Sequence, residues 1–569
     1  MDWKSKWHEW QSVEHTDAYI AEDLNGLTED SAQERFGQHL AFGTGGARGT
    51  FGAGINRINH YTVRRITQGF LNYLEKNGDD SKTKGIAISY DTRHFSKDFA
   101  ENVAYLAASQ GFKVYLSDEA RPTPLLSYMV RAYDAAGGVM ITASHNPANY
   151  NGYKIYDHTG GQMTETMAEA IVDELSDVTN ELQLAHGKLD AFISEGSVTV
   201  VGDDLDRAYL TELGKDLKEP ELFKKKTDFN VVYTPLHGAG LGIIKKALDT
   251  LQFKNYSLVE EQLTVDGTFE TVESPNPEDK DAFAYAEALG KKEQANLIMA
   301  TDPDADRLGV AVHENGQYTY LTGNQLGAIL LAYLIENSKG QALEKSVLIK
   351  TIVTSELGAA IAEAEGIEVI NTLTGFKYIG EKITELEEAG YKDFLFGYEE
   401  SYGYLFSSIV RDKDAVQAVV LLLEAALYYH QKDQSLLDVL DAVYKRFGFY
   451  TEDLVTIQIE SAEQVETIES NIEKLKKQLD EPFGTFKIAS IEDYDSNKRM
   501  TSDGKTTQID LPKANVLKLT FEDRSWLAIR PSGTEPKYKF YFSTKDESEV
   551  ESSKRMAELK ATLFSHLNL

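Results

Sequence analysis

Four short stretches of the chain concentrate residue types that can do chemistry. Thr142-Ala143-Ser144-His145-Asn146-Pro147 sets a hydroxyl beside an imidazole where the apolar run Gly138 to Thr142 breaks at a proline. Thr301-Asp302-Pro303-Asp304-Ala305-Asp306-Arg307 carries carboxylates at i, i+2 and i+4. In a loop that spacing lets three oxygens converge on a hard cation. An EF-hand reading fails, because Arg307 and His313 stand where the glycine and the glutamate belong. Few ligands from one loop leave open positions, which suits Mg²⁺ with phosphate or substrate oxygens around it; the competing reading is an exposed acidic turn. Gly397-Tyr398-Glu399-Glu400-Ser401-Tyr402-Gly403 offers carboxylates beside hydroxyls. These suit the hydroxyls of a sugar, and equally a solvated turn. Arg530-Pro531-Ser532-Gly533-Thr534-Glu535-Pro536-Lys537 joins a guanidinium, two hydroxyls and a glycine-opened backbone, an oxyanion cradle.

The elements around these stretches repeat. Gly85 to Tyr90, Phe112 to Leu116 and Gly138 to Thr142 read as strands, with helices from Asp98 to Gln110 and from Thr123 to Tyr133 between them. This is a βαβαβ order, which implies parallel strands. The order returns with strands at Asn230 to Tyr233, Asn255 to Val259 and Asn296 to Ala300, and again with Ser346 to Val353, Glu368 to Asn371 and Phe394 to Gly397. The first three polar stretches each follow the third strand of a repeat. In open α/β sheets ligands gather outside the carboxyl ends of strands, so these clusters are expected to meet at one cleft. The end of the chain differs: Val516 to Phe521, Trp526 to Ile529 and Lys537 to Ser543 alternate in quick succession before a helix from Ser548 to Leu563. That pattern reads as an antiparallel α+β domain. Residues 1–40 read as a helical arm in which Ser31-Ala32-Gln33-Glu34 fits a capping box. Gly43-Thr44-Gly45-Gly46-Ala47-Arg48-Gly49 reads as a glycine-rich loop, either an anion contact sharpened by Arg48 or a plain flexible loop.

Bulk properties narrow the function. A chain of 569 residues exceeds one core. The net charge of −33, from 58 basic and 91 acidic residues, argues against nucleic acid and anionic membrane as partners. Against that background a basic, hydroxyl-rich loop is a good phosphate candidate. No apolar run has the length of a membrane span, the N-terminus lacks a signal pattern, and cysteine is missing, so thiolate chemistry is excluded and a cytoplasmic location is expected. A hydroxyl nucleophile, a carboxylate-held cation, a polyol reader and a phosphate cradle together describe phosphoryl transfer on a sugar phosphate, with Ser144 as the phosphoryl carrier.

Thr142 to Pro147, Asp302 to Arg307, Glu399 to Ser401 and Arg530 to Pro536 resemble, in order and spacing, the four signature loops of the α-D-phosphohexomutases, the phosphoglucomutase/phosphomannomutase family. The arm, the stretch Gly45-Gly46-Ala47-Arg48 and Thr374-Gly375-Phe376-Lys377 look most like the bacterial phosphoglucomutase branch. The resemblance implies four domains around a central cleft: an arm at 1–40, α/β domains at 41–205, 206–322 and 323–445, and the α+β domain at 446–569. It implies interconversion of glucose 1-phosphate and glucose 6-phosphate through a phosphoserine at Ser144, one Mg²⁺ ion, and glucose 1,6-bisphosphate as activator. Ser144, Asp302, Asp304 and Asp306 would hold the metal; His145 and Lys154 would be the candidates for proton transfer; Arg48 and Arg307 would lie by the transferred group. Lys377, Glu399 and Ser401 would read the sugar, and Arg530, Ser532, Gly533, Thr534 and Lys539 would hold the other phosphate. The partner is then a small sugar phosphate and the chain a monomer or small homo-oligomer. Mannose or pentose phosphates, and a catalytically silent sugar-phosphate binder, are the alternatives. Tyr398 before the glutamate pair and Ala148-Asn149 after the proline depart from many members and leave the sugar preference open.

Overall fold

Strands buried on both faces lose the alternation of half-exposed ones and become continuously apolar. Ile86–Tyr90 and Gly137–Ile141 are such strands, buried along their whole length. The computed structural model describes residues 2–15, 17–338, 342–479, 482–531 and 537–569. They form two units, Met1–Gly323 with Ile379–Asp433, and Asn324–Tyr378 with Gln434–Leu569.

In the first unit Ile86–Tyr90 pairs in parallel with Gly137–Ile141 on one side and Val114–Ser117 on the other, and Val198–Val201 extends the parallel set. Helices Ser96–Ser109 and Thr123–Ala132 make the crossovers, the second with a proline in its first turn, where the missing N–H costs nothing. The sheet then continues in the opposite sense. Tyr150–Tyr156 runs antiparallel to Gly137–Ile141, and Gly46–Thr50 runs antiparallel to Tyr150–Tyr156. The glycine-rich stretch read as a loop is therefore a hairpin at the sheet edge, with Gly43 opposite Gly46 and Arg48 opposite Gly152. Close approach dictates the glycines: a Cβ on Gly152 would lie 2.5 Å from the Thr142 carbonyl oxygen. The arm folds as helices Trp3–Gln11, Ala18–Asn25 and Glu29–Phe36 around Trp10, Phe36 and Tyr61. Its capping box starts at Thr28 rather than Ser31, because Ser31 occupies the third helical position and returns the bond to the Thr28 N–H.

The second repeat has parallel strands Val231–Thr234, Tyr256–Leu258 and Leu297–Thr301, closed by antiparallel Leu308–Glu314 and Gln317–Leu321. Of the third repeat, Asp393–Glu399 and Gly403–Leu405 pair antiparallel within the first unit. Ser346–Thr351 and Glu368–Thr372 pair in parallel within the second. The second unit also holds a seven-stranded antiparallel sheet that includes Phe449–Gln458, Leu517–Phe521, Trp526–Pro531 and Lys537–Asp546. Helices Ala462–Leu475 and Glu549–Leu567 cover one face of it, over a core of Ile468, Leu519, Phe540 and Leu563. Three α/β repeats followed by an antiparallel α+β domain is thus the architecture of the chain. Among the described residues no helix is long and apolar enough to cross a membrane.

Candidate active site

Ser144 sits three residues past the strand Gly137–Ile141, with φ 51° in the left-handed region that branched and bulky side chains avoid. Its N–H is held by the Thr142 hydroxyl at 2.8 Å. This geometry turns the buried side chain toward the second repeat, where Ser144 Oγ donates to Asp302 Oδ2 at 2.9 Å. His145 Nδ1 is 3.2 Å from Ser144 Oγ. Burial, then the nearby Arg307 and Arg48 charges, hold the imidazole far below its ordinary range, so it is neutral and a poor proton acceptor.

The acidic loop leaves the strand Leu297–Thr301 in the same manner. Asp302 Oδ1 accepts the N–H groups of Asp306 and Arg307, each at 3.0 Å, which curls the loop so that all three carboxylates turn inward. One oxygen from each lies within 4.8 Å of the others, and all three side chains are buried. Asp304 Oδ2 accepts the Thr123 hydroxyl at 2.8 Å and Lys154 Nζ at 2.9 Å; Asp306 Oδ2 accepts Lys413 Nζ at 2.8 Å. The remaining oxygens, Asp304 Oδ1 and Asp306 Oδ1, are buried without a hydrogen-bond partner. Buried anionic oxygens in that state are costly. Burial, then Asp306 and Asp304, push the Asp302 carboxyl well above the usual carboxylate range. Burial acts on Asp304 too, but Lys154 and Lys413 outweigh it and hold that group low. Two orphaned carboxylate oxygens beside Asp302 and the Ser144 hydroxyl make an all-oxygen donor set, which fits a hard divalent cation.

Cations surround the cluster. Arg48 Nη1 donates to Asn146 Oδ1 at 3.0 Å, and Arg307 pairs with Glu278. Lys413 is placed by its neighbours in Arg411-Asp412-Lys413-Asp414. Asp412 accepts Tyr156 OH at 2.6 Å; Asp414 accepts Tyr209 OH at 2.5 Å and caps the helix Ala415–His430. Glu399 ends its strand buried, and Ser401 lies in the following turn, which the Leu308 N–H ties to the strand after the acidic loop through the Tyr402 carbonyl at 3.1 Å.

Residues 39–181, 207–316 and 322–447 match three successive family descriptions: phosphoglucomutase/phosphomannomutase, alpha/beta/alpha domain I, domain II and domain III. The chain belongs to the phosphoglucomutase/phosphomannomutase family. A phosphoglucomutase of Staphylococcus haemolyticus is 38% identical over 529 residues, covering 93% of this chain and 94% of the relative. One from Staphylococcus aureus is 37% identical over 515 residues, covering 90% and 91%. Among solved structures, the open form of the Paramecium phosphoprotein parafusin, described as a phosphoglucomutase, superposes with a TM-score of 0.69 at 19% identity, covering 93% of this chain and 96% of that one. A phosphoglucomutase/phosphomannomutase family protein of Burkholderia thailandensis gives 0.65 at 17% identity, covering 92% and 97%. At these identities the structural matches speak for the fold.

For this family member, the first unit brings Ser144, Lys154, Asp302, Asp304 and Asp306 into one buried cluster, with the half-buried His145 and with Arg48 and Arg307 beside it. Lys377, Arg530 and Lys539 belong to the second unit. There, Arg530 Nη1 donates to Thr374 Oγ1 at 2.7 Å, so the loop before Lys377 meets the end of the strand Trp526–Pro531, and Lys539 pairs with Arg530 on the neighbouring strand. Ser532, Gly533 and Thr534 lie outside the described residues. Sequence reasoning missed Thr123 and Lys413. A Thr-Pro helix start gives no hint of a partner 181 residues away, whereas a run of four alternating charges ahead of an apolar helix was a signal available for Lys413. His237 is structural: its nitrogens meet the Thr264 carbonyl at 3.0 Å and the Thr271 hydroxyl at 2.8 Å.

Proposed function

We propose that this protein is a phosphoglucomutase that interconverts glucose 1-phosphate and glucose 6-phosphate through a phosphorylated Ser144. The observation that carries the reading is the bond from Ser144 Oγ to Asp302 Oδ2, which seats a buried hydroxyl on the acidic triad. A serine meant for hydrolysis would instead be bonded to a basic imidazole, and His145 is held neutral and weakly basic. The identity of about 38% with phosphoglucomutases over almost the full chain supports the same choice of sugar.

In the reaction a sugar hydroxyl attacks the phosphorus on Ser144; the new O–P bond forms as the Oγ–P bond breaks, and the hydroxyl proton passes to a side chain. Asp302, Asp304, Asp306 and Ser144 would hold Mg²⁺, which when bound neutralises charge on the transferring group. Arg48 and Arg307, beside the cluster, would meet the phosphoryl oxygens. Lys154 is assigned the proton transfer in preference to His145, a poor acceptor: its Nζ reaches the triad at 2.9 Å from Asp304 and 3.5 Å from Asp306, and it takes the hydroxyl proton as the free amine, so the ammonium paired with those carboxylates must first give up a proton. Lys377, Glu399 and Ser401 read the sugar, and Arg530, Ser532, Gly533, Thr534 and Lys539 take the other phosphate. Glucose 1,6-bisphosphate is both the intermediate and the species that primes Ser144.

Intact-mass spectrometry tests this directly. One phosphate on Ser144, discharged by glucose 6-phosphate and restored by glucose 1,6-bisphosphate, is expected; a chain that never carries phosphate overturns the reading. Ser144→Ala should keep the fold and lose turnover by about 10⁴-fold or more. A panel of glucose, mannose and pentose 1-phosphates should give the highest kcat/KM with glucose.

A further inference from the structure

The serine loop is held from beneath by one side chain that the chemistry above does not use. Arg93 follows the strand Ile86–Tyr90 and is buried. Its Nη1 donates to the carbonyl oxygens of Pro147 at 2.9 Å and Tyr150 at 3.1 Å, and its Nη2 donates to those of Ser144 and Asn146. A single planar guanidinium thus gathers four carbonyls from a seven-residue segment. Backbone carbonyls that converge in this way repel one another, so the loop needs the cation to close at this curvature. One of the four belongs to Ser144 itself, the residue in the left-handed conformation.

The guanidinium is fixed on its other sides as well. Nε lies 3.3 Å from Asp91 Oδ2, with both side chains fully buried. Asp91 Oδ1 accepts the Arg93 N–H at 2.9 Å and the Ser96 hydroxyl at 2.7 Å. The ring of Phe269, from the second repeat, covers the guanidinium with its centroid 4.9 Å from Cζ. That ring can approach because Gly267 has no side chain: a Cβ there would lie 2.4 Å from the His94 nitrogen. Arg93 therefore bonds to the serine loop and is covered by a ring from the repeat that carries the acidic loop, so it touches both repeats that meet in the Ser144–Asp302 contact.

We propose that Arg93 is a positioning residue for phosphoryl transfer: it sets the height and direction of Ser144 Oγ against the acidic triad, without touching the reacting atoms. The proposal rests on Ser144 being the phosphoryl carrier. Lysine at this position keeps the charge that Asp91 needs but offers one ammonium in place of a planar fork, and it cannot span four carbonyls. A displacement of about 1 Å at a reacting group costs about 10²-fold in rate.

The test uses Arg93→Lys in the full chain, loaded with glucose 1,6-bisphosphate. The single-turnover discharge of phosphate to glucose 6-phosphate is followed by intact mass, with KM and thermal unfolding measured alongside. The expected result is discharge slowed about 10²-fold, KM changed less than about threefold and the unfolding midpoint nearly kept. Discharge within threefold of the parent overturns the proposal, and so does a rate loss explained wholly by unfolding. Should Arg93→Lys not fold, Phe269→Leu decides: it leaves every charge in place and frees one face of the guanidinium. Discharge slowed at least fivefold then supports the proposal, and an unchanged rate overturns it. A parent chain that never carries phosphate overturns the carrier assignment instead, which separates the two failures.

Discussion

At the scale of residues, the acidic cluster is a balance of three carboxylates against two ammonium groups. Lys154 and Lys413 each take one oxygen, leaving Asp304 Oδ1 and Asp306 Oδ1 buried without a hydrogen-bond partner. Removing one ammonium raises the negative charge that a cation meets, while removing one carboxylate lowers it. Lys413→Met is therefore expected to bind Mg²⁺ about tenfold more tightly, and Asp304→Asn about tenfold more weakly, by isothermal titration. Both should lose turnover, since Lys413 also sets Asp306. A Lys413→Met titration weaker than the parent's would show that the lysine builds the cation site rather than competing for it. A second contrast separates the proton carriers: Lys154→Met should lower kcat about 10³-fold, and His145→Gln by no more than about tenfold. Equal losses would return the imidazole to the chemistry.

At the scale of elements, the loops are held by close backbone contacts. Gly238 follows the strand Val231–Thr234, and a Cβ on it would lie 2.5 Å from Pro303 Cα. The adjacent Ala239 N–H bonds the Pro303 carbonyl at 2.8 Å. Gly238→Ala must therefore push the acidic loop outward. A loss of about 2 kcal/mol by urea denaturation is expected, with weakened Mg²⁺ binding. Unchanged stability would mean the loop yields freely. The same elements explain what could be read from sequence. The parallel strands were legible because their double burial leaves uninterrupted apolar runs, as in Ile86–Tyr90 and Leu297–Thr301. Tyr150–Tyr156 was not, since Asn151, Gly152 and Lys154 make it read as a turn. Those polar residues are buried because Asn151 bonds the His94 carbonyl and Lys154 bonds Asp304. The Ser144 and Asp302 to Asp306 loops were legible as dense local chemistry. Their meeting was legible too, from their equivalent places after the third strands of two repeats, and the bond from Ser144 to Asp302 bears it out; the grip of Thr123 and Lys413 on the carboxylates was not, because it is made across long sequence separations that periodicity does not encode.

At the scale of the whole molecule, each unit buries a carboxyl group that prefers to stay protonated. Asp414 in the first unit is pushed up to about 7 by burial, against the bonds it accepts from Tyr209, Gln417 and Val416. Glu452 in the second is likewise pushed up to about 7 by burial, against bonds from Ser355 and Ser543. In the unfolded chain such groups titrate near 4. Between about 4 and about 7 the folded protein therefore holds protons that the unfolded chain has released, and stability falls as pH rises through this window. The contribution is fully present below the unfolded value and lost above about 7, where both groups must ionise in the interior. The overall charge of −33 adds repulsion in the same direction, so the parent alone cannot isolate the effect. Asp414→Asn with Glu452→Gln can, because each amide mimics the protonated acid and keeps its hydrogen-bonding capacity. The parent's unfolding midpoint should drop on going from pH 5.5 to pH 8, and the double variant's should drop less, by about 2 °C or more. Parallel curves for the two proteins would show that these carboxyls ionise at their ordinary values within the fold.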